Sequence, residues 1–492
     1  MSGTAYTTVI GLEVHVQLDT RSKLFCRCSS QFGAPPNTQT CPVCSGQPGA
    51  LPVMNLRAYE LAMRAAIGLN CEIPQFTKWD RKNYFYPDLP KGFQTSQFDL
   101  PMSQDGYLDI SDPEGAFEER RIGIIRAHLE EDAGKSLHDE EAGKADSRID
   151  LNRCGTPLLE IVSQPDMRSA AEARVYLTEL KLLLTYLEVS DCNMQEGSLR
   201  VDANVNLHID REEDLIATPI VEVKNMNSFR AVQRALEYEV ERQYELWQQT
   251  GRKLGDVGVT KETRGWDDEA QLTRAQRGKE ESSDYRYFPE PDLLPVTATG
   301  EMVQSVRAGL GELPAALRTR LAREYQLSPY DADVLVNQGR SLVDYFVAVA
   351  DRCGDGKSAS NWLQQDVLRH LKETGTTIEA FAVPGEQLAD LISAVHSGAL
   401  TTSRGREVLT HLISNGGTVA QAMQQLGIEE VDQSELEELC RELLIANPKI
   451  VADIQSGKTK AAGALVGQAK GKNPNVNPHD VQRICLKLAA EM

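Results

Sequence analysis

Three short segments carry side chains suited to metal-assisted chemistry. GLEVH holds Glu13 and His15, AHLEEDAGK holds His128, Glu130, Glu131, Asp132 and Lys135, and PLLEIVS holds Glu160. Carboxylates joined by one or two imidazoles suit a hard or borderline divalent cation, and magnesium would bring a nucleotide with it. Glu160 stands between Leu159 and Ile161, where a charge is costly unless it faces solvent, a cation or a cleft. Taken singly, each residue is more often a surface or ion-paired group. DAGKS resembles the end of a phosphate loop, but that loop needs a glycine five residues before Gly134, and Leu129 stands there. A nucleotide would be held by other means.

A fourth segment holds Cys26, Cys28, Cys41 and Cys44, two chelating pairs separated by twelve residues. Zinc takes four soft ligands in a tetrahedron, and two such pairs on a short loop supply them. Four thiolates fill every position and leave none for water, so the metal would be structural; the alternative is four reduced thiols. RKNYFYPDLPKGFQTSQ, from Arg81 to Gln97, is dense in donors and aromatic rings around two prolines and a glycine. It reads as a ligand-binding loop or, failing that, an ordered surface turn. There is no G-x-S-x-G and no Gly/Ser-rich amidase stretch, and nothing near Cys154 in RCGTP would activate its thiol. Covalent catalysis by this chain is not expected.

These groups need rigid elements to position them. From Val9 to Leu18 the residues Ile10, Leu12, Val14, Val16 and Leu18 alternate with Glu13, His15 and Gln17, which predicts a strand with one polar face. SLRVDANVNLHID repeats the pattern, with Leu199 to Ile209 apolar at odd positions and Arg200, Asp202, Asn204, Asn206 and His208 between them. Ser169 and Glu172 suggest a capping box before a helix bearing Tyr176, Leu180, Leu183, Leu184 and Leu187. A second helix is expected from about Ser228, with Phe229, Val232, Leu236, Val240 and Trp247 on one stripe and Gly251 as its stop. After DYRYFPEPDLLPV, whose prolines suit an extended linker, helical pattern takes over. The fold class expected is α+β: a mixed α/β domain over 1–295, an all-helical domain over 296–395 and a helical tail domain over 396–492.

The 492 residues carry a net charge of −20, which argues globally against a nucleic-acid partner. The C-terminal stretch departs from this: Lys449, Lys458, Lys460, Lys470, Lys472, Arg483 and Lys487 face Asp453, Asp480 and Glu491. That is either a solvated face or an RNA backbone contact. No apolar run of about 18 residues predicts a membrane span, and no signal peptide is visible. A cytoplasmic protein is expected, with its ten cysteines as thiols or metal ligands rather than disulfides.

The strings VIGLEVHVQL, FGAPPNTQTCPVCSGQPGALPV, DRKNYFYPDLPKGFQTSQ, HLEEDAGKS, IDLNRCGTPLLEIVS, GSLRVDANVNL, VEVKNMNSF and DYRYFPEPDLLP follow one another over the first 295 residues. Together they resemble the GatB family, the B subunits of aspartyl/glutamyl-tRNA amidotransferases, and SNWL and GALVGQ extend the likeness. The resemblance implies a cradle domain with a kinase and transamidase site, a helical domain, and a YqeY-like tail that holds tRNA. It implies an amidase-type A subunit that releases ammonia from glutamine, a small C subunit, tRNA(Gln) or tRNA(Asn), and the non-discriminating aminoacyl-tRNA synthetase as partners. It implies that ATP and magnesium serve to phosphorylate the side-chain carboxylate of a misacylated tRNA, after which ammonia displaces phosphate. By the same resemblance His15, Glu131 and Glu160 would be magnesium ligands, with Glu13 and Glu130 as second choices, Glu130 otherwise acting in catalysis. Lys91 and Lys135 would neutralise phosphate charge, and Tyr84, Tyr86, Ser96, Gln97, Arg200 and Asn204 would contact substrate. The family's tail stretch GQxMKxxxGxAxP is shortened here to GQAKGKNPNVNP, without Met-Lys. The cysteine set varies within the family, so zinc would steady the loop after Val9–Leu18, and with it His15, rather than take part in the reaction. Two other readings are a zinc-stabilised tRNA-docking scaffold whose partner does the chemistry, and an assembly factor without a nucleotide.

Overall fold

Strict alternation in the two longest strand candidates leaves one register in which both apolar faces are buried. The computed structural model adopts it: Tyr6–Gln17 lies antiparallel to Leu199–Asp210, with Val14 opposite Val201 and Leu12 opposite Ala203. It describes residues 6–112, 115–138, 147–210, 215–276, 285–428, 433–473 and 475–491. The chain divides into two compact units, Met1–Pro314 and Ala315–Met492.

In the first unit Tyr6–Gln17 lies near the middle of a nine-stranded sheet. Its order runs Leu272–Ala275, Glu262–Asp267, Val221–Lys224, Leu199–Asp210, Tyr6–Gln17, Pro157–Ser163, Arg120–Glu131 and Gln104–Ile110, and Leu215–Ala217 also pairs with Leu199–Asp210. Neighbours are antiparallel except Val221–Lys224 and Glu262–Asp267. The buried face, with Ile10, Leu12, Val14, Val16, Leu159 and Val201, shares one core with the helices Leu56–Gly68, Ala170–Tyr186 and Phe229–Thr250. The helices cover one face and leave the polar face to strands and loops, which is the α+β arrangement.

The helix signals act locally as expected, with one difference. Ser169 Oγ accepts from the Glu172 amide at 3.1 Å, but the Glu172 carboxylate accepts from the Arg168 amide at 2.7 Å, so the capping box is not reciprocal. Ser228 caps Phe229–Thr250, and Gly251 ends it in the left-handed conformation at φ 64°.

The first unit runs past the boundary at 295 read from the sequence. Phe288–Pro289 pairs with Asp80–Asn83, Val296–Thr297 pairs with Phe76–Thr77, and the helix Gly300–Ala308 lays Val303 and Val306 on the same core. The proline-rich segment is thus strand and core rather than linker, although Asp284 lies outside the described residues. In the second unit Gly385–His396 packs on Arg340–Cys353 and on Thr402–Asn415, so packing continues across the expected boundary at 395. A separate apolar core gathers Leu436, Cys440, Leu444, Leu465, Ile484 and Leu488 nearer the C-terminus. Among the described residues no helix is long and apolar enough to cross a membrane.

Candidate functional site

Register lines up the polar face. His15 lies opposite Arg200 on one side and Glu160 on the other, and Glu160 lies opposite His128. Arg200, His15, Glu160 and His128 therefore form a row across four neighbouring strands, and Glu130, two residues beyond His128, shares that face. His15 Nε2 lies 3.5 Å from Glu160 and 3.8 Å from Glu130; His128 Nε2 lies 3.4 Å from Glu160 and 3.9 Å from Glu130. His15, Glu130 and Glu160 each offer a donor atom within 4.8 Å of the other two.

Burial and close approach shift every titratable group of this cluster. Burial and then the charge of Glu160 push the Glu130 carboxyl above its ordinary range. Burial also opposes ionisation of Glu160, but His128 and His15 outweigh it and hold that carboxyl low. For His15, burial works against protonation, and the hydrogen bond and charge of Glu160 reverse the balance and raise it. Burial brings His128 down to about 4. His128 Nδ1 is buried without a hydrogen-bond partner among the described residues. The two carboxylates of Glu130 and Glu160 with the His15 imidazole fit a divalent cation.

Glu131 is not part of this cluster. It lies on the other side of its strand, where its carboxylate pairs with Lys91 and accepts from the Thr95 amide at 2.9 Å. Glu131, Lys91 and Thr95 line a cavity with Cys26, Cys44 and Glu290 behind the sheet. Glu13 sits further along the open face with Asp202 and Glu222; Asn204 donates to it at 2.9 Å, and Lys224 pairs with both partners. Lys135 is exposed on a separate ribbon of Lys135–His138 and Ser147–Asp150. Neither expected phosphate-neutralising lysine therefore reaches the His15–Glu130–Glu160 cluster.

The ammonium that faces the cluster is Lys82. Burial disfavours its charge, but Glu130, Tyr287 and Glu160 overcome that and hold it protonated. Lys82 Nζ lies 5.0 Å from the Tyr285 ring centroid, and Tyr84 stacks edge-on to Tyr285 and Tyr86. Sequence reading counted Lys82 among the donors of the Arg81–Gln97 loop and His128 among the metal-suited residues, but gave neither a role of its own. The available signal was parity: His128 and Glu130 alternate on one strand, as Lys82 and Tyr84 do in RKNYFY.

Five of the expected substrate-contacting residues fall into two groups, and the sixth, Asn204, lies beside Glu13. Tyr84, Tyr86 and Arg200 flank the open face, Arg200 bonded to the buried Asp132 at 2.9 Å, with Arg153 and Gln17 completing that network. Ser96 and Gln97 are buried supports. Ser96 donates to Glu130 at 3.3 Å, while the Gln97 amide accepts from Leu129 and Met102 and donates to Thr77.

Gly134 of DAGKS has a steric task instead of a phosphate. A Cβ there would lie 2.9 Å from the carbonyl oxygens of both Asp88 and Asp150, backbone atoms that cannot step aside. Its own amide donates to Asp88 O at 2.8 Å. We expect Gly134→Ala to cost about 2 kcal/mol of stability, as overpacking does. Denaturant titration checks this, and an unchanged midpoint would overturn it.

The four cysteines converge: each offers a sulfur within 4.8 Å of the others, and Cys41 and Cys44 Sγ are 3.9 Å apart. A zinc–sulfur bond of about 2.3 Å makes the tetrahedron edge about 3.8 Å, so the set fits zinc. The Cys26 thiol hydrogen bond, with smaller help from Lys23, holds Cys44 down at about 4. Cys154 is a buried thiol pushed up to about 12 by burial, which suits the absence of a covalent role.

The carboxylate–imidazole row of the mixed sheet lies within residues 8–304, which match the family described as GatB/GatE catalytic domain. Residues 344–488 match the family described as GatB domain. Relatives named as the B subunit of aspartyl/glutamyl-tRNA(Asn/Gln) amidotransferase are similar along nearly their whole length. That of Rhodopirellula baltica is 60% identical over 99% of this chain and 97% of its own, and that of Moorella thermoacetica 47% identical over 97% and 98%. The chain belongs to the GatB family.

Proposed function

We propose that the chain is the subunit that activates and amidates the side-chain carboxylate of Glu-tRNA(Gln), Asp-tRNA(Asn) or both, within a cytoplasmic glutamine-hydrolysing carbon–nitrogen ligase. The observation that carries this reading is the convergence of His15, Glu130, Glu160 and His128 on one open sheet face, with Lys82 beside them. A carboxylate is a poor electrophile, and phosphorylation gives it a good leaving group. A carboxylate oxygen of the substrate attacks the terminal phosphorus of ATP and ADP leaves; ammonia then attacks the acyl carbon and phosphate leaves. Such transfers need positioning and charge neutralisation rather than a protein nucleophile.

His15, Glu130 and Glu160 would hold magnesium, with His128 beside them, and the bound ion would neutralise charge on the transferred phosphoryl group. Ser96 steers the Glu130 carboxylate, and the Arg200–Asp132 pair sets the end of the row beside His15. Lys82 places a cation where phosphate oxygens would lie, and Tyr84 and Tyr285 shield it from water. An amidase-type A subunit and a small C subunit would complete the enzyme. Lys449, Lys460, Lys470 and Lys487 are exposed in the tail, which supports tRNA backbone contact; the three-domain division and an encounter with the synthetase belong to the same proposal. The scaffold and assembly readings leave a buried carboxylate pair without a purpose.

The test is conversion of Glu-tRNA(Gln) and Asp-tRNA(Asn) by the assembled enzyme, with and without ATP. Amide product should require ATP, and ATP hydrolysis should require the misacylated tRNA. Product formed without ATP would overturn the proposal.

A further inference from the structure

Lys23 is among the largest fully buried side chains of the molecule, at 0% exposure. A lysine head is almost never buried without a partner for its charge. Among the described residues no carboxylate lies within 4.0 Å of it. Its ammonium donates to Gln39 O at 2.7 Å, to Leu151 O at 3.5 Å and to Cys44 Sγ at 3.6 Å. Only the sulfur among these three can carry a negative charge.

Cys44 is the most buried of the four cysteines and the best supplied with donors, since the Cys41 amide also reaches its sulfur at 3.2 Å. Four thiolates around a zinc ion carry a net charge of −2, which is costly beside a protein core unless something offsets it. We infer that Lys23 is the positioning residue of the cysteine centre: its buried ammonium offsets the tetrathiolate charge and secures the Cys44 sulfur as a ligand. The two carbonyls it binds belong to Gln39, on the loop between the cysteine pairs, and Leu151, on the segment leading to the Glu160 strand. Lys23 thus ties the cysteine loop to the chain that carries a residue of the open-face cluster. Groups that hydrogen-bond metal ligands in this way set affinity and retention.

The inference rests on the zinc reading and is tested separately from it on the purified full chain. Zinc content by mass spectrometry comes first, then the rate of zinc transfer to a chromophoric chelator, for the wild type, Lys23→Gln and Lys23→Arg. We expect one zinc per wild-type chain and release about 10-fold faster from Lys23→Gln. Lys23→Arg keeps the charge and should stay near the wild-type rate. A zinc-loaded wild type with an unchanged rate in Lys23→Gln overturns the role of Lys23 and leaves the zinc reading standing; a wild type without zinc overturns both. Equal, fast release from both variants also overturns it, because shape rather than charge would then decide. Should Lys23→Gln fail to fold, Lys23→Arg decides alone: slow release supports the inference and fast release overturns it.

Discussion

Glu130→Gln should lower ATP-dependent amide formation by the assembled enzyme about 1,000-fold, the scale seen when a charge-stabilising group is taken from an active site. Its neighbour should behave in the opposite way. Glu130 is buried beside Glu160, and the repulsion between them already disfavours its charge, so a neutral amide relieves strain in the metal-free fold. Glu130→Gln should therefore unfold at the wild-type temperature or higher while it loses activity and magnesium affinity. Glu131 is one residue away and bound to Lys91 on the far side of the sheet. Glu131→Gln leaves Lys91 half-buried without its counter-charge and should cost about 3 kcal/mol of stability, with magnesium affinity unchanged. Thermal unfolding and magnesium titration of both variants read this directly. Metal loss in Glu131→Gln with retention in Glu130→Gln would overturn the assignment of the open face.

Lys82→Met should reduce turnover about 100-fold, the cost of removing one stabilising contact to developing charge. Methionine keeps most of the unbranched stem against Tyr285 and removes the ammonium, so a packing role would survive and a phosphate role would not. The apparent KM for ATP should rise along with the fall in kcat, because a cation beside the transferred phosphates acts in the ground state and the transition state alike. Lys82→Arg should recover part of the loss. Wild-type kcat and KM in Lys82→Met would remove Lys82 from the site. Lys135→Met should have little effect, since that side chain is exposed on a separate ribbon.

Much of this architecture was legible from residue pattern. Alternation in Tyr6–Gln17 and Leu199–Asp210 identified the two central strands and named their polar faces, because burying either polar face would strand many charges at once. Ser228 and Gly251 marked a helix correctly because cap chemistry is local. The spacing of the cysteine pairs foretold their convergence, since short loops leave few other arrangements. Domain limits were less legible. Whether residues after 295 extend away or fold back depends on apolar surface that distant segments present, and the first core accepts Val303 and Val306.

The metal face shows where pattern stops. By itself the sequence placed His15 and Glu160 on strands, and only the family resemblance named a partner for them in HLEED. It could not determine which glutamate. In Arg120–Glu131 the buried apolar residues are Ile122 and Ile124, then Ala127 and Leu129, because the register shifts between Ile124 and Arg126. That irregularity reverses the parity of every residue after it. It sends His128 and Glu130 to the open face beside His15, and Glu131 to the cavity with Lys91. Two adjacent carboxylates of identical chemistry thus take different surroundings through one extra residue in a strand, a choice made by the pairing of Arg120–Glu131 with Pro157–Ser163 and made only in the folded chain.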